Sequence, residues 1–308
     1  MEGSPGGTRR PIRSQAGSGG PFGTLYIVST PIGNLEDLTF RAARILGEVD
    51  GILAEDTRRT GILLRHLELD TPVRSLHEHN EEARIGESLE RLAAGEDLAL
   101  VSDAGTPLVS DPGERLVVRA LEAGRSVVPV PGPSAVITAL VVAGFPVSPF
   151  TFLGFPPRKG TERDALLERV AAADETVILF ESPERTARLL EALARRTGPE
   201  RAAAVARELT KIHEEVRRGT LADLAAYYHE HPPRGEVTIV VGPAAGEAVS
   251  REVDAAAVEA LATALLAEGR SPSRTAREVA RRLGVPRNRA YELIQELSRT
   301  PDSGSSST

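Results

Sequence analysis

The residues best suited to chemistry lie in one stretch of the chain, Ser102 to Gly113. Two carboxylates, Asp103 and Asp111, stand there among small side chains and two prolines. A carboxylate in such a loop can accept a hydrogen bond from a hydroxyl or amino group, or take a proton as a general base. Small side chains let a ligand approach the backbone. The same composition is typical of an ordinary tight turn, so two interpretations stand at this point.

The segments on either side of this stretch indicate how it is held. Leu98 to Val101 is an apolar run that predicts a buried strand, and Glu114 to Ala123 has helical spacing. An open α/β sheet binds its ligand where a strand ends in a loop that continues into a helix. These elements therefore predict a ligand site at the carboxyl end of the strand.

Three further predicted strands end in loops of unusual composition. They end at Val28, Ala54 and Val130, and a predicted helix follows each loop. Strands that alternate with helices indicate the α/β class, in which parallel strands end along one edge of the sheet. We therefore expect the four loops to converge on one cleft. The carboxylates that we expect to face this cleft are Glu55, Asp56, Asp103 and Asp111. Helix capping is the alternative role of each.

The second half of the chain predicts another α/β unit, with strands over residues 176–180, 202–206 and 236–241. Glycine, proline and cations cluster in residues 152–160, which indicates a crossing between domains. We predict an N-terminal α/β domain over residues 23–148 and a C-terminal α/β domain over residues 149–245. Residues 1–22 and 300–308 have the composition of disordered tails.

Residues 252–299 predict three helices, over 253–267, 274–283 and 287–298. A short turn, Gly284-Val285-Pro286, separates the last two, as in a helix-turn-helix. Eight arginines and three glutamates lie between residues 270 and 299. Such a basic segment can bind a phosphate backbone. A three-helix cap with a solvated basic face is the alternative.

Composition and missing motifs exclude several classes of protein. The chain has no cysteine, which rules out disulfides, thiol nucleophiles and zinc-thiolate sites. Its net charge of −7 argues against a globally basic nucleic-acid binder. Glycine-rich dinucleotide and phosphate-binding motifs and the G-x-S-x-G motif are absent. His77-Glu78-His79 has no evident third ligand, so we predict no metal site. No apolar run suits a signal peptide or a membrane span, and we expect a cytoplasmic protein.

Seven segments, in this order along the chain, together resemble the tetrapyrrole methylase family. They are residues 25–35, 54–58, 76–81, 102–113, 129–135, 180–182 and 206–211. They are most similar to the branch of the family that acts on ribosomal RNA. Corrin-modifying members carry Gly-Asp-Pro where this chain has Ser102-Asp103-Ala104. The resemblance implies a two-domain α/β fold, a homodimer, and S-adenosylmethionine bound in the cleft between the domains.

The resemblance also implies which residues form the site. Those expected to contact the cofactor are Pro31, Gly33, Ser102, Asp103, Ala104, Thr106, Ser134, Ala135, Phe180, Glu181 and Leu209. The family's motifs do not identify the general base. Among the carboxylates of the predicted cleft, we favour Asp103 for this role, followed by Glu55 or Asp56. Four cations are candidates for positioning RNA phosphates, with surface solvation as their alternative role: Arg58, Arg158, Lys159 and Lys211.

The function implied by the resemblance is transfer of a methyl group to the 2′-oxygen of a cytidine ribose. The cytidine belongs to 16S ribosomal RNA in the decoding centre of the small ribosomal subunit. The basic helices after residue 252 also resemble the tail of these RNA-modifying members. Two alternatives stand beside this function. One is a methyltransferase acting on a precorrin-type tetrapyrrole, and the other is a non-catalytic, ligand-binding regulator whose basic helices bind DNA.

Overall fold

The chain forms two compact units, residues 1–244 and 245–308. A computed structural model describes residues 22–77, 79–244, 255–268 and 270–283, together with Ile294. Both predicted tails, apart from Phe22, lie outside these residues. So do Glu78, the predicted turn at 284–286, and the predicted third helix at 287–298 apart from Ile294.

The first unit begins with a sheet of five parallel strands. The strands are β1 (Thr24–Val28), β2 (Gly51–Ala54), β3 (Val73–Ser75), β4 (Leu98–Val101) and β5 (Ser126–Val130), in the order β3-β2-β4-β1-β5. The helices are α1 (Phe40–Glu48), α2 (Thr57–His66), α3 (Glu81–Ala93), α4 (Glu114–Glu122) and α5 (Ala135–Ala143). Each strand is parallel to its neighbours, so all five carboxyl ends lie at one edge.

Helices cover both faces of this sheet. Leu25 and Leu98 pack with residues of α3 and α4, whereas Val28 and Ile52 pack with residues of α1 and α2. Burial on both faces explains why the inner strands β2 and β4 are continuous apolar runs rather than alternating patterns. Polar groups of the sheet are therefore accessible to a ligand mainly at the sheet edges and at the strand ends.

The first residues of the helices set the shape of the loops. The Thr39 hydroxyl oxygen accepts a hydrogen bond from the Ala42 amide at 3.0 Å and begins α1. The Asp56 carboxylate accepts one from the Arg58 amide at 2.9 Å and begins α2. Before α4, Gly113 has a φ of +114°, and a Cβ there would lie 2.7 Å from the Leu100 side chain. The loop after β4 can therefore turn closely over the strand.

A second, mixed sheet follows in the same unit. Its strands are β6 (Phe150–Phe152), β7 (Thr176–Glu181), β8 (Ala202–Arg207), β9 (Glu215–Thr220) and β10 (Val237–Val241), in the order β6-β7-β10-β8-β9. The helices are α6 (Thr161–Ala172), α7 (Thr186–Thr197) and α8 (Leu221–Glu230). β6 is parallel to β7, and the other pairs are antiparallel.

The two faces of the second sheet have different coverings. One face packs against α6, α7 and α8 through side chains such as Leu167, Leu190 and Leu224. The other packs against α5, where Ile178 and Val240 of the sheet join one cluster with apolar residues of that helix. Helix α5, which follows the last strand of the first sheet in the chain, therefore packs on the second sheet and connects the two halves of the unit.

Three strands were not predicted from the sequence: β3, β6 and β9. All three lie at sheet edges. β3 and β6 have three residues each, and β9 carries Glu215, Arg217 and Arg218. Edge strands are often short or charged, which weakens the apolar pattern from which strands are recognised.

The second unit contains α9 (Ala255–Ala267) and α10 (Pro272–Leu283). Their apolar residues, including Val258, Leu265 and Val279, form one cluster with Ile294. Neither these helices nor those of the first unit combine the length and hydropathy that a membrane crossing needs, within the part of the chain described. Over the same residues, no three histidine or acidic side chains are grouped to hold a metal ion.

Candidate functional site

Hydrogen bonds join the loops after β1, β4 and β5 at the carboxyl edge of the first sheet. The backbones of Thr30 and Gly105 exchange two hydrogen bonds, of 2.8 and 3.1 Å. The Ser29 hydroxyl donates to the Thr106 hydroxyl oxygen at 3.1 Å, and Thr106 donates to the Pro133 carbonyl at 3.0 Å. These three loops therefore form one connected surface.

The loop after β2 joins this surface through a carboxylate. The Asp56 amide donates to Asp103 Oδ1 at 2.9 Å. The Arg59 guanidinium lies 3.5 Å from the other oxygen of Asp103. Asp103 therefore sits where the loops after β2 and β4 meet, with an amide donor on one oxygen and a cation beside the other.

The loops of the second sheet lie directly against those of the first. A Cβ on Gly33 would come within 2.4 Å of the Lys211 side chain and 3.1 Å of the Leu209 carbonyl. The Asn34 amide donates to the Thr210 hydroxyl oxygen at 3.1 Å. Glycine at position 33 is therefore required for the close approach of these two loops.

Two adjoining cavities open at this junction. The larger has a volume of about 360 Å³ and the smaller about 220 Å³. Both are lined by Ile32, Arg59, Asp103, Ala104 and Glu236. The larger lies within the size range of small-molecule sites. Loops from both sheets contribute to it, so it is a cleft between the two halves of the unit.

The larger cavity has an apolar wall and an acidic lining. Phe155 and Phe180 form the wall on the side of the second sheet, with ring centroids 5.4 Å apart. Ile32 and Val109 line it from the first-sheet side. The carboxylate residues in the lining are Glu55, Asp103, Asp111, Glu181 and Glu236. Such a cavity suits a partly apolar ligand that carries positive charge.

Asp111 has a higher affinity for a proton than an ordinary aspartate. Burial, together with the negative charges of Glu55 and Asp103, raises the pKa of Asp111 to about 6, although a hydrogen bond from Ser102 opposes the shift. The preceding residue, Ser110, has a φ of +69°, a conformation that side-chain-bearing residues rarely adopt. Asp111 thus holds its proton to a higher pH than an ordinary aspartate does.

Asp56 and Arg58 form a local pair. The Arg58 guanidinium lies 2.7 Å from Asp56 Oδ2, and its hydrogen bonds lower the pKa of Asp56 to about 2. Neither residue is among those that line the two cavities. The Asp56 side chain therefore begins α2 and binds Arg58, while its backbone amide supports Asp103.

The residues predicted for the cofactor fall into two groups. Eight line the cavities: Pro31, Gly33, Ser102, Asp103, Ala104, Ala135, Phe180 and Glu181. The other three lie behind the lining. Thr106 links two loops, the Ser134 carbonyl accepts from the Thr138 hydroxyl at 2.8 Å where α5 begins, and Leu209 is buried against α5. These three residues hold the shape of the loops.

The four predicted RNA-binding cations have different surroundings. Lys211 lines the smaller cavity, but its ammonium group lies 2.7 Å from Glu208 and 3.3 Å from Glu236. Arg158 and Lys159 are exposed in the loop that carries Phe155. Arg58 is paired with Asp56, as described above. Two of the four are therefore already neutralised by carboxylates.

Sequence analysis missed Arg59 and Glu236, which line both cavities. Arg59 directly follows Arg58 in the chain. The two arginines differ in the direction of their side chains in the folded protein, which the sequence does not reveal. Glu236 reaches the cleft because β10 runs antiparallel to β7 and β8, which places Val237 opposite Glu181 and Arg207. An apolar strand pattern is the same in either direction, so no sequence signal indicated this.

Comparison with known proteins agrees with this architecture. Residues 24–225 match the family described as Tetrapyrrole (Corrin/Porphyrin) Methylases. Two solved structures share the fold. Cobalt precorrin-4 methyltransferase is 21% identical with a TM-score of 0.58, covering 71% of this chain and 94% of its own. Uroporphyrin-III C-methyltransferase from Thermus thermophilus, complexed with S-adenosylhomocysteine, is 20% identical with a TM-score of 0.54, covering 71% and 97%.

Curated relatives are much more similar in sequence. A protein of Synechocystis sp. named Ribosomal RNA small subunit methyltransferase I is 44% identical, over 90% of this chain and 99% of its own. A protein of Xylella fastidiosa with the same name is 47% identical, over 87% and 98%. Identity at this level extends over nearly all of each protein. The chain therefore belongs to the tetrapyrrole methylase family and, within it, to the family of the ribosomal RNA small subunit methyltransferases I.

Proposed function

We propose that the protein transfers a methyl group from S-adenosylmethionine to the 2′-oxygen of a cytidine ribose in 16S ribosomal RNA of the small subunit. The observation that carries this proposal is the acid-lined cavity at the meeting point of four loops of the first sheet and the loops of the second. The relatives named Ribosomal RNA small subunit methyltransferase I favour ribosomal RNA as the acceptor.

The lining of the cavity fits S-adenosylmethionine, which supplies an electrophilic methyl group on a positively charged sulfur. Glu55, Asp103 and Asp111 provide negative charge, and among the described lining residues Arg59 is the one cation of the larger cavity. Apolar side chains complement the rest of the molecule. The residues proposed to hold it are Pro31, Gly33, Ser102, Asp103, Ala104, Ala135, Phe180 and Glu181. Thr106, Ser134 and Leu209 support these residues through the loops.

The acceptor hydroxyl has to lose its proton when its oxygen gains the methyl group. Sequence analysis favours Asp103 for this role, then Glu55 or Asp56. Two observations support Asp111 instead. Asp103 already accepts a hydrogen bond from an amide and lies near Arg59, so both of its oxygens already face groups of the protein itself. Asp111 lines the same cavity, and its pKa of about 6 suits a base near neutral pH. Asp103 then binds a hydroxyl or amino group.

Cations at the mouth of the cleft position the RNA. Arg158 and Lys159 are exposed beside Phe155, and Arg59 reaches into both cavities. Arg58 and Lys211, paired with carboxylates, orient the loops around the target nucleotide. Phosphate contacts of this kind set the register of the substrate, while the reacting ribose is aligned in the cavity.

The experiment that tests the proposal measures incorporation of a radioactive methyl group from S-adenosylmethionine. Small subunits from a strain lacking the enzyme should be labelled at one cytidine ribose. A precorrin or uroporphyrinogen substrate, which a tetrapyrrole methyltransferase would modify, should remain unlabelled. Labelling of the tetrapyrrole alone would contradict the proposal. A regulator without catalytic activity would label neither and would bind DNA.

The protein acts as a cytoplasmic homodimer in this proposal. Phe40 and Ile212 are 99% and 97% exposed and are the positions at which contact with a second copy can be tested by substitution. Sedimentation of the full chain tests the oligomeric state.

A further inference from the structure

A separate pocket of about 280 Å³ lies beside α8, on the second sheet. Residues from β8, β9, α8 and the segment before β10 line it, among them Arg207, Glu215, Tyr227, Tyr228, His231 and Arg234. None of the described residues that line it also lines the cleft cavities. We call it the arginine–tyrosine pocket.

Two side chains pack on the ring of Tyr227 beside this pocket. The Arg217 guanidinium carbon lies 3.6 Å from the ring centroid. The His231 ring stacks on Tyr227 with centroids 4.5 Å apart and an interplanar angle of 16°. His231 itself is exposed, so a further planar group can extend this stack.

The pocket carries positive charge in a protein whose net charge is −7. Glu215 lies 2.8 Å from Arg207 and 3.0 Å from Arg217, so one carboxylate faces two guanidinium groups. Arg234 is exposed and forms no ion pair with any residue that the structure describes. The excess of arginine favours an anionic ligand.

The Tyr228 hydroxyl is an unused donor at the same place. Its residue is 2% exposed, and the hydroxyl has no hydrogen-bond partner among the described residues. Burial raises the pKa of Tyr228 to about 12, so the group keeps its proton. The charged groups that act on it are Glu215, Arg217 and Arg207, which places the hydroxyl near the pocket's charged groups. A buried polar group without a partner requires an explanation, and a ligand provides one.

We infer that the arginine–tyrosine pocket binds single-stranded ribosomal RNA outside the cleft, with an unstacked base on His231 and a neighbouring phosphate on Arg234. Aromatic rings and arginines in combination are the usual means of binding unpaired RNA. The inference rests on the proposed function, which makes ribosomal RNA the substrate. Arg234 directly precedes Gly235 and Glu236, which line the larger cleft cavity, so the pocket and the cleft share this chain segment. An RNA strand that leaves the cleft can follow it.

The test measures binding of the full-length protein to purified small subunits and to protein-free 16S ribosomal RNA, at several salt concentrations. The variants are Arg234→Glu and His231→Ala, both at exposed positions. Their matched controls are Arg169→Glu on α6 and His66→Ala at the end of α2, which are also exposed and lie outside all these cavities. Affinity for S-adenosylhomocysteine should stay unchanged in all four.

We expect both pocket variants to weaken RNA binding about tenfold, as loss of one stacked base or one phosphate contact does. Arg234→Glu should also lower the slope of log affinity against log salt by about one unit, whereas His231→Ala should leave it unchanged. KM for small subunits should rise and kcat should stay constant. The two controls should bind within twofold of the unmodified protein.

Pocket variants that bind like their controls would overturn the inference. A loss seen with subunits but not with protein-free RNA would also overturn it, because the pocket would then contact a ribosomal protein. Failure of the proposed function is distinguishable. An unmodified protein that binds subunits through this pocket but methylates nothing refutes the proposed function alone, and one that binds no RNA refutes both.

Discussion

At the scale of single residues, the chemistry of the cleft depends on which partner each charged group has. Asp56, Asp103 and Asp111 have the same carboxyl group in different surroundings. Arg58 stabilises the charge of Asp56, an amide and Arg59 stabilise that of Asp103, and burial disfavours that of Asp111. Their proposed roles, as helix cap, ligand acceptor and base, follow from these surroundings.

The pH dependence of methyl transfer should report the base. If Asp111 must be ionised, kcat/KM should fall tenfold per pH unit below about pH 6. Asp111→Asn should lower activity strongly and remove this limb from whatever activity remains. The profile is measured with saturating S-adenosylmethionine between pH 5 and 8 (about the range in which such a group titrates). A limb that persists in Asp111→Asn would rule out Asp111.

The same substitution should stabilise the fold above pH 6. The pKa of Asp111 rises from 3.8 to about 6 on folding, so the folded state binds the proton more tightly. Ionisation therefore costs stability progressively between these values, and the cost is constant above them. Asp111→Asn should raise the free energy of unfolding at pH 7.5 by on the order of 2 kcal/mol. Urea unfolding should show this gain shrinking towards pH 4. A loss of stability at pH 7.5 would contradict the burial argument.

Asp103→Asn tests the proposed acceptor of the ligand's hydrogen bonds. The amide keeps the size of the side chain but removes its charge, and a hydrogen bond to a charged group contributes about 1.5–3 kcal/mol. Affinity for S-adenosylhomocysteine should therefore fall about ten- to a hundredfold by calorimetry. Turnover on subunits should fall as well. Asp70→Asn, at a site outside the cavity lining, is the control. Unchanged affinity and turnover would remove Asp103 from the site.

At the scale of elements, the cleft depends on how firmly the second sheet is assembled. Arg201 is buried, and its guanidinium donates to the carbonyls of Val170, Ala173 and Gly242 at 2.7–3.0 Å. It thereby joins the end of α6 to the end of β10. Burial lowers the pKa of Arg201, and the carbonyl oxygens are the partners that make this burial tolerable.

Arg201→Met should destabilise the first unit, because it leaves several buried carbonyls without donors. We expect a loss of about 3 kcal/mol or more in the free energy of unfolding, measured with urea. Arg196→Met, which removes an exposed ion pair on α7, should cost less than about 1 kcal/mol. At temperatures where the Arg201 variant is folded, its affinity for S-adenosylhomocysteine should be unchanged. Equal effects of the two substitutions would refute the role given to Arg201.

At the scale of the whole molecule, the cleft-lining residues that the structure describes all belong to the first compact unit. The basic segment predicted over residues 252–299 lies in the second unit, where Arg274 and Arg277 of α10 are exposed. The proposed division of work is therefore cofactor binding in the first unit and additional RNA contact in the second.

A chain that ends at Ala244 should bind S-adenosylhomocysteine as tightly as the full chain. Its affinity for small subunits should fall, because exposed arginines that neutralise phosphates are lost. The full chain with Arg274→Glu and Arg277→Glu is the companion variant, since it keeps the second unit and reverses its charge. Calorimetry and subunit binding measure the two effects. Unchanged subunit binding in both proteins would favour the solvated helical cap.

Apart from the edge strand β3, the succession of strands, loops and helices along the chain of the first sheet could be predicted from the sequence alone. Buried parallel strands are continuous apolar runs, and their loops contain small residues and prolines, so each element is recognisable locally. Parallel strands also place their carboxyl ends together by geometry. That is why the meeting of the loops around Asp103 was predictable. The family was predicted on a separate ground, the resemblance of seven segments to its members.

Only the tertiary structure decided the charge state and the partner of each group. Asp56 and Asp103 are 47 positions apart in the chain, and Asn34 and Thr210 are 176 apart. Such distant neighbours determine that Arg59 rather than Arg58 lines the cleft and that Glu236 reaches it from an antiparallel strand. They also raise the pKa of Asp111. Local patterns determine what an element is, whereas electrostatic surroundings depend on what folding brings beside it.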